Sequence, residues 1–323
     1  MTPGAPREGA RPGEAADASY VEVPGVRGPD GAAHRARVRT SGPAGGAGDP
    51  VLLLVHGIGR SLEDFVALHD RLAERHTVVS ADLPGFGLTR ALPGRPSLAG
   101  FARALVVDLV DALGHGDRPV VVVGNSLGGA VAMTAAVEHP DRVAGVALLG
   151  AAGFGREARV SVLPMVWGVA SALPVVGGHF TDRARRAGVE VNERIFHDPS
   201  FATPEMVRHA ARVGRQPDWL RTFVLTALGL GAPVVGTWPR WRRELLARLR
   251  DQGTPALVVW GDDDQVLPAH HYEAAVAALP HATGHLLEDV GHAPQIEAVD
   301  EVARLVEALV AEVRAGLAGD RSG

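Results

Sequence analysis

The sequence predicts an α/β fold built on a mostly parallel sheet. Between residues 51 and 149, short apolar segments typical of buried strands alternate three times with segments typical of helices. The same alternation resumes between residues 256 and 315, after a long interruption. Because parallel neighbours need a crossover between them, this order indicates a parallel sheet with right-handed connections.

The individual elements follow from local patterns. Residues 1–18 are rich in Gly, Pro, Ala and charge, which predicts a disordered leader. Residues 20–23 and 34–40 flank a glycine-rich turn and predict a hairpin of two edge strands. Buried strands are expected at residues 51–55, 77–81, 120–123, 143–149, 256–260 and 284–288. Helices are expected at residues 62–76, 98–113, 130–137, 272–279 and 299–315, with a frayed tail at 317–323.

Residues 154–250 break this alternation. The segment has a helical pattern and contains four of the five tryptophans of the chain. We expect it to be an insertion between two strands of one sheet, folded over the strand ends as a helical cap. The core then consists of residues 19–153 and 251–316. The tryptophans and the apolar run at residues 160–176 either line an acyl pocket or pack the cap onto the core.

The chain is organised around the segment that follows the strand at residues 120–123. It reads Gly124-Asn125-Ser126-Leu127-Gly128, a Gly-x-Ser-x-Gly pattern between a buried strand and an apolar helix. So tight a turn leaves little room for a Cβ on either side of the serine. Ser126 is therefore predicted to project from the tip of the sheet, where the positive end of the following helix favours an oxyanion.

A serine hydroxyl needs a base to take its proton, and a histidine base needs a carboxylate to orient its ring. In an open α/β sheet, such partners lie just after strands. Asp264 follows the strand that ends at residue 260, and His292 follows the strand that ends at residue 288. The order Ser126, Asp264, His292 is the order of a Ser–Asp–His triad on this kind of sheet. The adjacent Asp262 and Asp263 are interpreted as turn-forming and solvated loop charges.

Five motifs, in this order, resemble those of α/β-hydrolase-fold enzymes with a helical cap. They are His56-Gly57, Asp82-Leu83-Pro84-Gly85-Phe86-Gly87, Gly124-Asn125-Ser126-Leu127-Gly128-Gly129, Trp260-Gly261-Asp262-Asp263-Asp264 and Gly291-His292-Ala293-Pro294. The resemblance extends over about residues 51–315 except the cap. It implies an eight-stranded sheet with helices on both faces. It also implies acyl transfer to Ser126, with His292 as base and then acid, and Asp264 orienting it.

The same resemblance implies an oxyanion hole formed by the backbone N–H groups of Ile58 and Leu127. His56 would then shape its loop rather than react, and Asp82 would hold its own turn. No cofactor and no metal are implied. His270-His271 is interpreted as the start of a helix, because no third ligand shares a face with the pair.

Composition argues against several classes of protein. A net charge of −5 gives no reason to expect nucleic-acid binding. The absence of cysteine excludes disulfides, a thiolate nucleophile and cysteine-based zinc sites. The first residues lack the apolar core of a signal peptide, and the run at residues 160–176 is shorter than a membrane span and contains two prolines. We therefore expect a cytoplasmic protein without stable membrane insertion.

These features predict a serine hydrolase that cleaves a carboxylic ester of a fairly apolar small molecule. Asn125 also resembles the residue before the serine in meta-cleavage carbon–carbon bond hydrolases, although Ala293 stands where those enzymes usually carry an aromatic residue. A cofactor-free haloperoxidase or perhydrolase would use the same three residues. A non-catalytic binder of small molecules is the alternative outside enzymes. The sequence makes no prediction of oligomeric state.

Overall fold

An eight-stranded sheet forms the centre of the protein. The computed structural model describes residues 15, 17–46, 48–156, 190, 192–232 and 236–320. The strands are β1 (Ser19–Arg27), β2 (Ala33–Ser41), β3 (Val51–Val55), β4 (Val78–Ala81), β5 (Val120–Asn125), β6 (Val143–Leu149), β7 (Gly231–Ala232), β8 (Gly236–Thr237), β9 (Ala256–Gly261) and β10 (Thr283–Leu287). The large sheet has the order β1-β2-β4-β3-β5-β6-β9-β10, and β7 and β8 form a separate hairpin.

The sheet is mostly parallel, as the alternation predicted. All neighbours from β4 to β10 in the large sheet are parallel. The predicted edge hairpin is also confirmed, because β1 and β2 pair antiparallel and β2 pairs antiparallel with β4. No helix in the described part of the chain is long and apolar enough to cross a membrane.

Helices cover both faces of the sheet. In chain order, the described α-helices are α1 (Val66–Ala73), α2 (Leu98–Arg103), α3 (Val110–Ala112), α4 (Leu127–Glu138), α5 (Pro204–Val213), α6 (Trp219–Leu230), α7 (Pro239–Gln252), α8 (His270–Ala278), α9 (Pro294–Glu297) and α10 (Val299–Asp320). A 3₁₀ turn at Leu62–Phe65 leads into α1, and π-helical turns at Ala104–Leu109 join α2 to α3. The single helix predicted at residues 98–113 is therefore continuous but widened in its middle.

Alternate residues of the central strands feed two separate apolar clusters. Leu53 and Val122 belong to the cluster on one face of the sheet, whereas Leu52 and Val121 belong to the cluster on the other. All four side chains are fully buried. The strands read as unbroken apolar runs because both of their faces are covered.

Both ends of the described region are more ordered than the sequence predicts. Helix α10 continues through Gly316 to Asp320, and Leu317 packs against an apolar cluster. A glycine inside a helix costs only about 1 kcal/mol, so packing of this kind can carry the helix past it. Near the other end, Ala15 is buried and Asp17 accepts a 2.6 Å hydrogen bond from Arg39 Nε, although both were assigned to a disordered leader. Residues 1–14 and the apolar run at 160–176 lie outside the described residues.

The described part of the predicted insertion contacts the core in two ways. Helix α7 packs along α4, where Arg248 Nη1 donates a 2.7 Å hydrogen bond to Glu138. Residues 192–230 instead reach the loops at the carboxyl ends of the strands. One such contact is the 2.7 Å hydrogen bond from the His292 N–H to the Ile195 carbonyl. The exact limits of a cap domain stay a prediction.

The turn between β5 and α4 depends on close backbone packing. A Cβ added at Gly128 would lie 2.0 Å from the Val55 carbonyl oxygen, at the end of β3. A Cβ added at Gly124 would lie 2.2 Å from the Gly128 carbonyl oxygen. The first turn of α4 therefore rests directly on the ends of β3 and β5, as the glycine pattern predicted.

We expect Gly128→Ala to lower the free energy of unfolding by about 3 kcal/mol, because its methyl group overlaps the Val55 carbonyl. Gly229→Ala is the matched control, since Gly229 lies in α6 with no atom within 4 Å of an added Cβ. That control should be neutral or slightly stabilising. Urea denaturation measures both variants, and equal midpoints would contradict the close packing described here.

Candidate active site

Ser126 occupies a strained turn at the carboxyl end of β5. Its φ is 55° and its ψ is −115°, a conformation that L-residues rarely adopt. Backbone strain of this kind costs on the order of 1–3 kcal/mol and persists only when neighbouring structure enforces it. The enforcement comes from two backbone hydrogen bonds: the Ser126 N–H donates to Leu149 O at 3.0 Å, and Ser126 O accepts from the Ala152 N–H at 2.9 Å. The strained conformation is therefore maintained by hydrogen bonds between the residue after β5 and the end of β6.

His292 and Asp264 form a buried pair at the same edge of the sheet. His292 Nδ1 lies 2.7 Å from Asp264 Oδ2. The other carboxylate oxygen, Oδ1, accepts the N–H groups of Val266 at 2.8 Å and Leu267 at 2.7 Å. With an ionised carboxylate as acceptor, the ring proton sits on Nδ1 and the lone pair on Nε2. This is the tautomer that a general base requires.

Asn125 joins the serine turn to the loop that carries His292. Its Nδ2 group donates to Leu149 O at 3.0 Å and to His292 O at 2.9 Å. The end of β6 packs against the buried pair as well, because a Cβ on Gly150 would lie 3.2 Å from His292 Nδ1. Ser126, Asp264 and His292 thus follow β5, β9 and β10, which occupy one half of the sheet. The sequence marked Asn125 only as a point of resemblance and did not indicate this tie.

The two predicted oxyanion donors belong to two different segments, both of which adjoin Ser126. Leu127 is the first residue of α4, where N–H groups have no partner within the helix. Ile58 lies in a turn after β3 that is closed by the 3.2 Å hydrogen bond from the Arg60 N–H to Gly57 O. That turn adjoins the serine, since a Cβ on Gly57 would lie 3.3 Å from Ser126 Cβ.

Both ring nitrogens of His56 have backbone hydrogen-bond partners. Its Nε2 accepts the Leu83 N–H at 2.9 Å, so the ring proton must sit on Nδ1, which lies 2.8 Å from Gly57 O. Complete burial lowers the pKa of the ring. His56 is therefore held neutral and shapes its loop, in agreement with the sequence-based interpretation.

Asp82 holds its own turn, as expected. Its Oδ1 accepts the Leu62 N–H at 2.9 Å and its Oδ2 accepts the Leu88 N–H at 2.8 Å. Asp263, one of the two aspartates set aside as loop charges, pairs with His197 Nδ1 at 3.0 Å on the surface. Asp264 is the member of the aspartate run that meets His292.

Aromatic side chains of α6 lie beside the turn that contains Ile58. Trp219 and Phe223 stack with ring centroids 5.0 Å apart. A Cβ on Gly59 would lie 3.1 Å from the Trp219 ring and 3.2 Å from the Phe223 ring. Trp238 and Trp241 instead donate to Leu228 O and Leu230 O, within the insertion. Of the described tryptophans in the insertion, Trp219 is thus the one that contacts this turn.

Comparison with known proteins gives the same architecture. The model of the alpha/beta hydrolase family matches residues 52–305. The dihydrolipoyllysine-residue acetyltransferase component of the acetoin cleaving system from Cupriavidus necator is 34% identical over 273 residues, which is 84% of this chain and 66% of that protein. The chain thus spans just under two thirds of that relative's length, and 62% of the length of its Pseudomonas putida counterpart.

Two further matches, one by sequence and one by structure, are to hydrolases by name. The 2-hydroxy-6-oxo-6-phenylhexa-2,4-dienoate hydrolase of Burkholderia cepacia is 28% identical, with 80% of this chain and 87% of that protein aligned. A crystal structure of a membrane phospholipase A, described as a bacterial virulence factor, superposes with a TM-score of 0.70 at 22% identity, covering 92% of this chain and 86% of that one. The chain belongs to the alpha/beta hydrolase family.

Proposed function

We propose that this protein is a serine hydrolase that cleaves a carboxylic ester of a fairly apolar small molecule through an acyl-enzyme on Ser126. The observation that carries the proposal is the 2.7 Å contact between His292 Nδ1 and the buried Asp264 carboxylate, at the sheet edge that also bears the strained Ser126 turn. The stacked Trp219 and Phe223 rings beside Gly59 support an apolar substrate. A cytoplasmic location stays a prediction of the sequence.

Acylation begins when Ser126 Oγ attacks the ester carbonyl carbon and its proton passes to His292 Nε2. Asp264 accepts a hydrogen bond from the Nδ1–H group throughout and stabilises the imidazolium that forms. The carbonyl oxygen becomes an oxyanion, for which the N–H groups of Ile58 and Leu127 are the proposed donors. The carbon–oxygen bond then breaks, and the alcohol leaves with the proton from His292 Nε2.

Deacylation repeats these steps with water as the nucleophile. His292 Nε2 takes a proton from the water, whose oxygen attacks the acyl carbon on Ser126. Collapse of the second oxyanion releases the carboxylic acid and returns the proton to Ser126 Oγ. The burial of Asp264 matters at both stages, because its charge acts on the imidazolium in a site of low dielectric constant.

A carbon–carbon bond hydrolase is the second candidate. It is favoured by Asn125 and by the relative from Burkholderia cepacia, which aligns over 87% of its length. Against it stands Ala293, which is buried directly after His292 and offers no aromatic ring to a substrate. A perhydrolase, a cofactor-free haloperoxidase and a non-catalytic binder of small molecules are the further alternatives on the same fold.

We expect Ser126→Ala to lower ester hydrolysis by at least about 10⁴-fold, because the acyl-enzyme can no longer form. The measurement is kcat/KM on p-nitrophenyl esters graded by chain length, together with covalent labelling of Ser126 by a fluorophosphonate. A meta-cleavage dienoate is assayed in parallel. Turnover of the dienoate alone would favour the carbon–carbon hydrolase, and an unlabelled, inactive wild type would favour the non-catalytic binder.

We expect Asp264→Asn to lower kcat by about 10³–10⁴-fold with little change in KM, because an amide can hold His292 in the wrong tautomer. Asp263→Asn is the matched control, since Asp263 pairs with His197 on the surface and should leave kcat within about twofold. If both substitutions have equal effects, Asp264 is not the residue that orients the base.

A further inference from the structure

We infer that the insertion positions the oxyanion donor Ile58, through three side chains that bond to the three residues following it. These positioning residues are Trp219, Asn192 and His209, and their partners are Gly59, Arg60 and Ser61, which we call the clasped segment. The inference rests on the proposed function, because it assigns a task to residues around the same site.

The first contact holds the peptide unit that closes the turn around Ile58. Trp219 Nε1 donates to Gly59 O at 3.2 Å. Gly59 has a φ of +74°, and with Ile58 it forms the corner of the turn that the Arg60 N–H closes on Gly57 O. The Gly59 carbonyl and the Arg60 N–H belong to one peptide unit, so Trp219 and Gly57 O hold its two ends. The indole therefore helps to keep this turn closed, and with it the position of Ile58 at the corner of the turn.

The second contact uses the side chain of Arg60. Its Nη1 donates to Asn192 Oδ1 at 2.6 Å, while Nε and Nη2 donate to Asp64 at 2.7 and 2.6 Å. Arg60 thus bridges the insertion to the start of the core helix that follows the turn. A planar guanidinium with several donors is well suited to such a bridge, since its geometry is rigid.

The third contact is a buried polar cluster beneath the clasped segment. Ser61 Oγ lies 2.9 Å from His209 Nε2, and that nitrogen also lies 3.0 Å from Glu63 Oε2. Glu63 in turn pairs with Arg37 of β2. Burial raises the pKa of Glu63, but hydrogen bonds from His209 and Arg37 outweigh it and keep that pKa well below its usual range. Helix α5, which carries His209, is therefore attached to a fixed negative charge of the core.

The core holds the other side of the same segment. Arg60 O accepts the Gly87 N–H at 3.1 Å, and the Asp82 carboxylate accepts the Leu62 N–H at 2.9 Å. His56 anchors the segment's beginning through its contacts with Gly57 and Leu83. The backbone between Gly57 and Leu62 is thus enclosed by bonds from core and insertion. A displacement of an oxyanion donor by about 1 Å can cost two orders of magnitude in rate, so the insertion can influence catalysis without touching the substrate.

The first test compares Trp219→Phe with Trp238→Phe. Phenylalanine keeps an aromatic ring beside Phe223 but removes the N–H that reaches Gly59. Trp238 is the matched control, because its Nε1 donates to Leu228 O inside the insertion. We expect Trp219→Phe to lower kcat about tenfold on the best p-nitrophenyl ester while KM stays within about twofold, and Trp238→Phe to leave both near wild type.

A second readout is specific for hydrogen bonding to the oxyanion. Each variant is assayed on the same p-nitrophenyl ester and on its thionoester, in which a weakly accepting sulfur replaces the carbonyl oxygen. Trp219→Phe should reduce the ratio of the ester rate to the thionoester rate, because only the ester depends strongly on the donors. An unchanged ratio, or a change in KM alone, would overturn the inference, since either result makes Trp219 a wall of the pocket or a packing residue.

The third contact is tested by a pair of substitutions at His209. His209→Ala removes the ring and should lower both kcat and the ratio of the ester rate to the thionoester rate. His209→Gln should keep most of both, because its amide can still donate a hydrogen bond to Glu63 and contact Ser61. Thermal unfolding is recorded for every variant. If the glutamine variant is as impaired as the alanine variant, or if neither is impaired, His209 does not act on the clasped segment.

The two proposals fail in different ways. Hydrolysis that survives Ser126→Ala would remove the proposed function and this inference with it. Hydrolysis that requires Ser126, but is equal in Trp219→Phe and Trp238→Phe, would remove the inference alone. Should Trp219→Phe not fold, the His209 pair decides the question.

Discussion

The contact between the first turn of α4 and the backbone of β3 is the constraint on which the site depends. Because a Cβ at Gly128 would lie 2.0 Å from Val55 O, the helix can start only where it does. That start places Ser126, with its positive φ, directly before the helix and brings the N-terminus of α4 next to the turn after β3. This backbone contact therefore sets the spacing between the nucleophile turn and the turn that carries Ile58, and the side-chain bonds to the second turn act on top of it.

The fold could be predicted because its signals are local. Unbroken apolar runs identified the parallel strands, and the positions of Asp264 and His292 just after strands indicated that they would meet. The tie from Asn125 to His292 O spans 167 residues, and the contact of Ser61 with His209 spans 148. Periodicity carries no information about such separations. Neither contact was predictable from one sequence, although both belong to the candidate site or its surroundings.

Three buried histidines near this sheet edge differ in the partners of their ring nitrogens. His56 has a backbone partner at each nitrogen and is held neutral. His209 Nε2 is shared between Ser61 and Glu63, so that nitrogen is already committed. His292 uses Nδ1 for Asp264, and its Nε2 is the nitrogen left for proton transfer in the proposed mechanism. Hydrogen bonding, rather than residue type or burial, distinguishes the candidate base from the other two rings.

The same reasoning explains why the insertion contacts the clasped segment through polar groups as well as through the Trp219 and Phe223 rings. Buried ion pairs and hydrogen bonds contribute little net stability, since desolvation offsets most of their attraction, but they tolerate only a narrow range of geometries. Apolar packing would stabilise the contact as well and would allow it to slide. Arg60, His209 and Glu63 are therefore better suited to fix the position of a backbone turn than to hold the insertion in place. Glu63 fits the first task because its carboxylate pairs with Arg37 of β2 and with His209 of α5 at once.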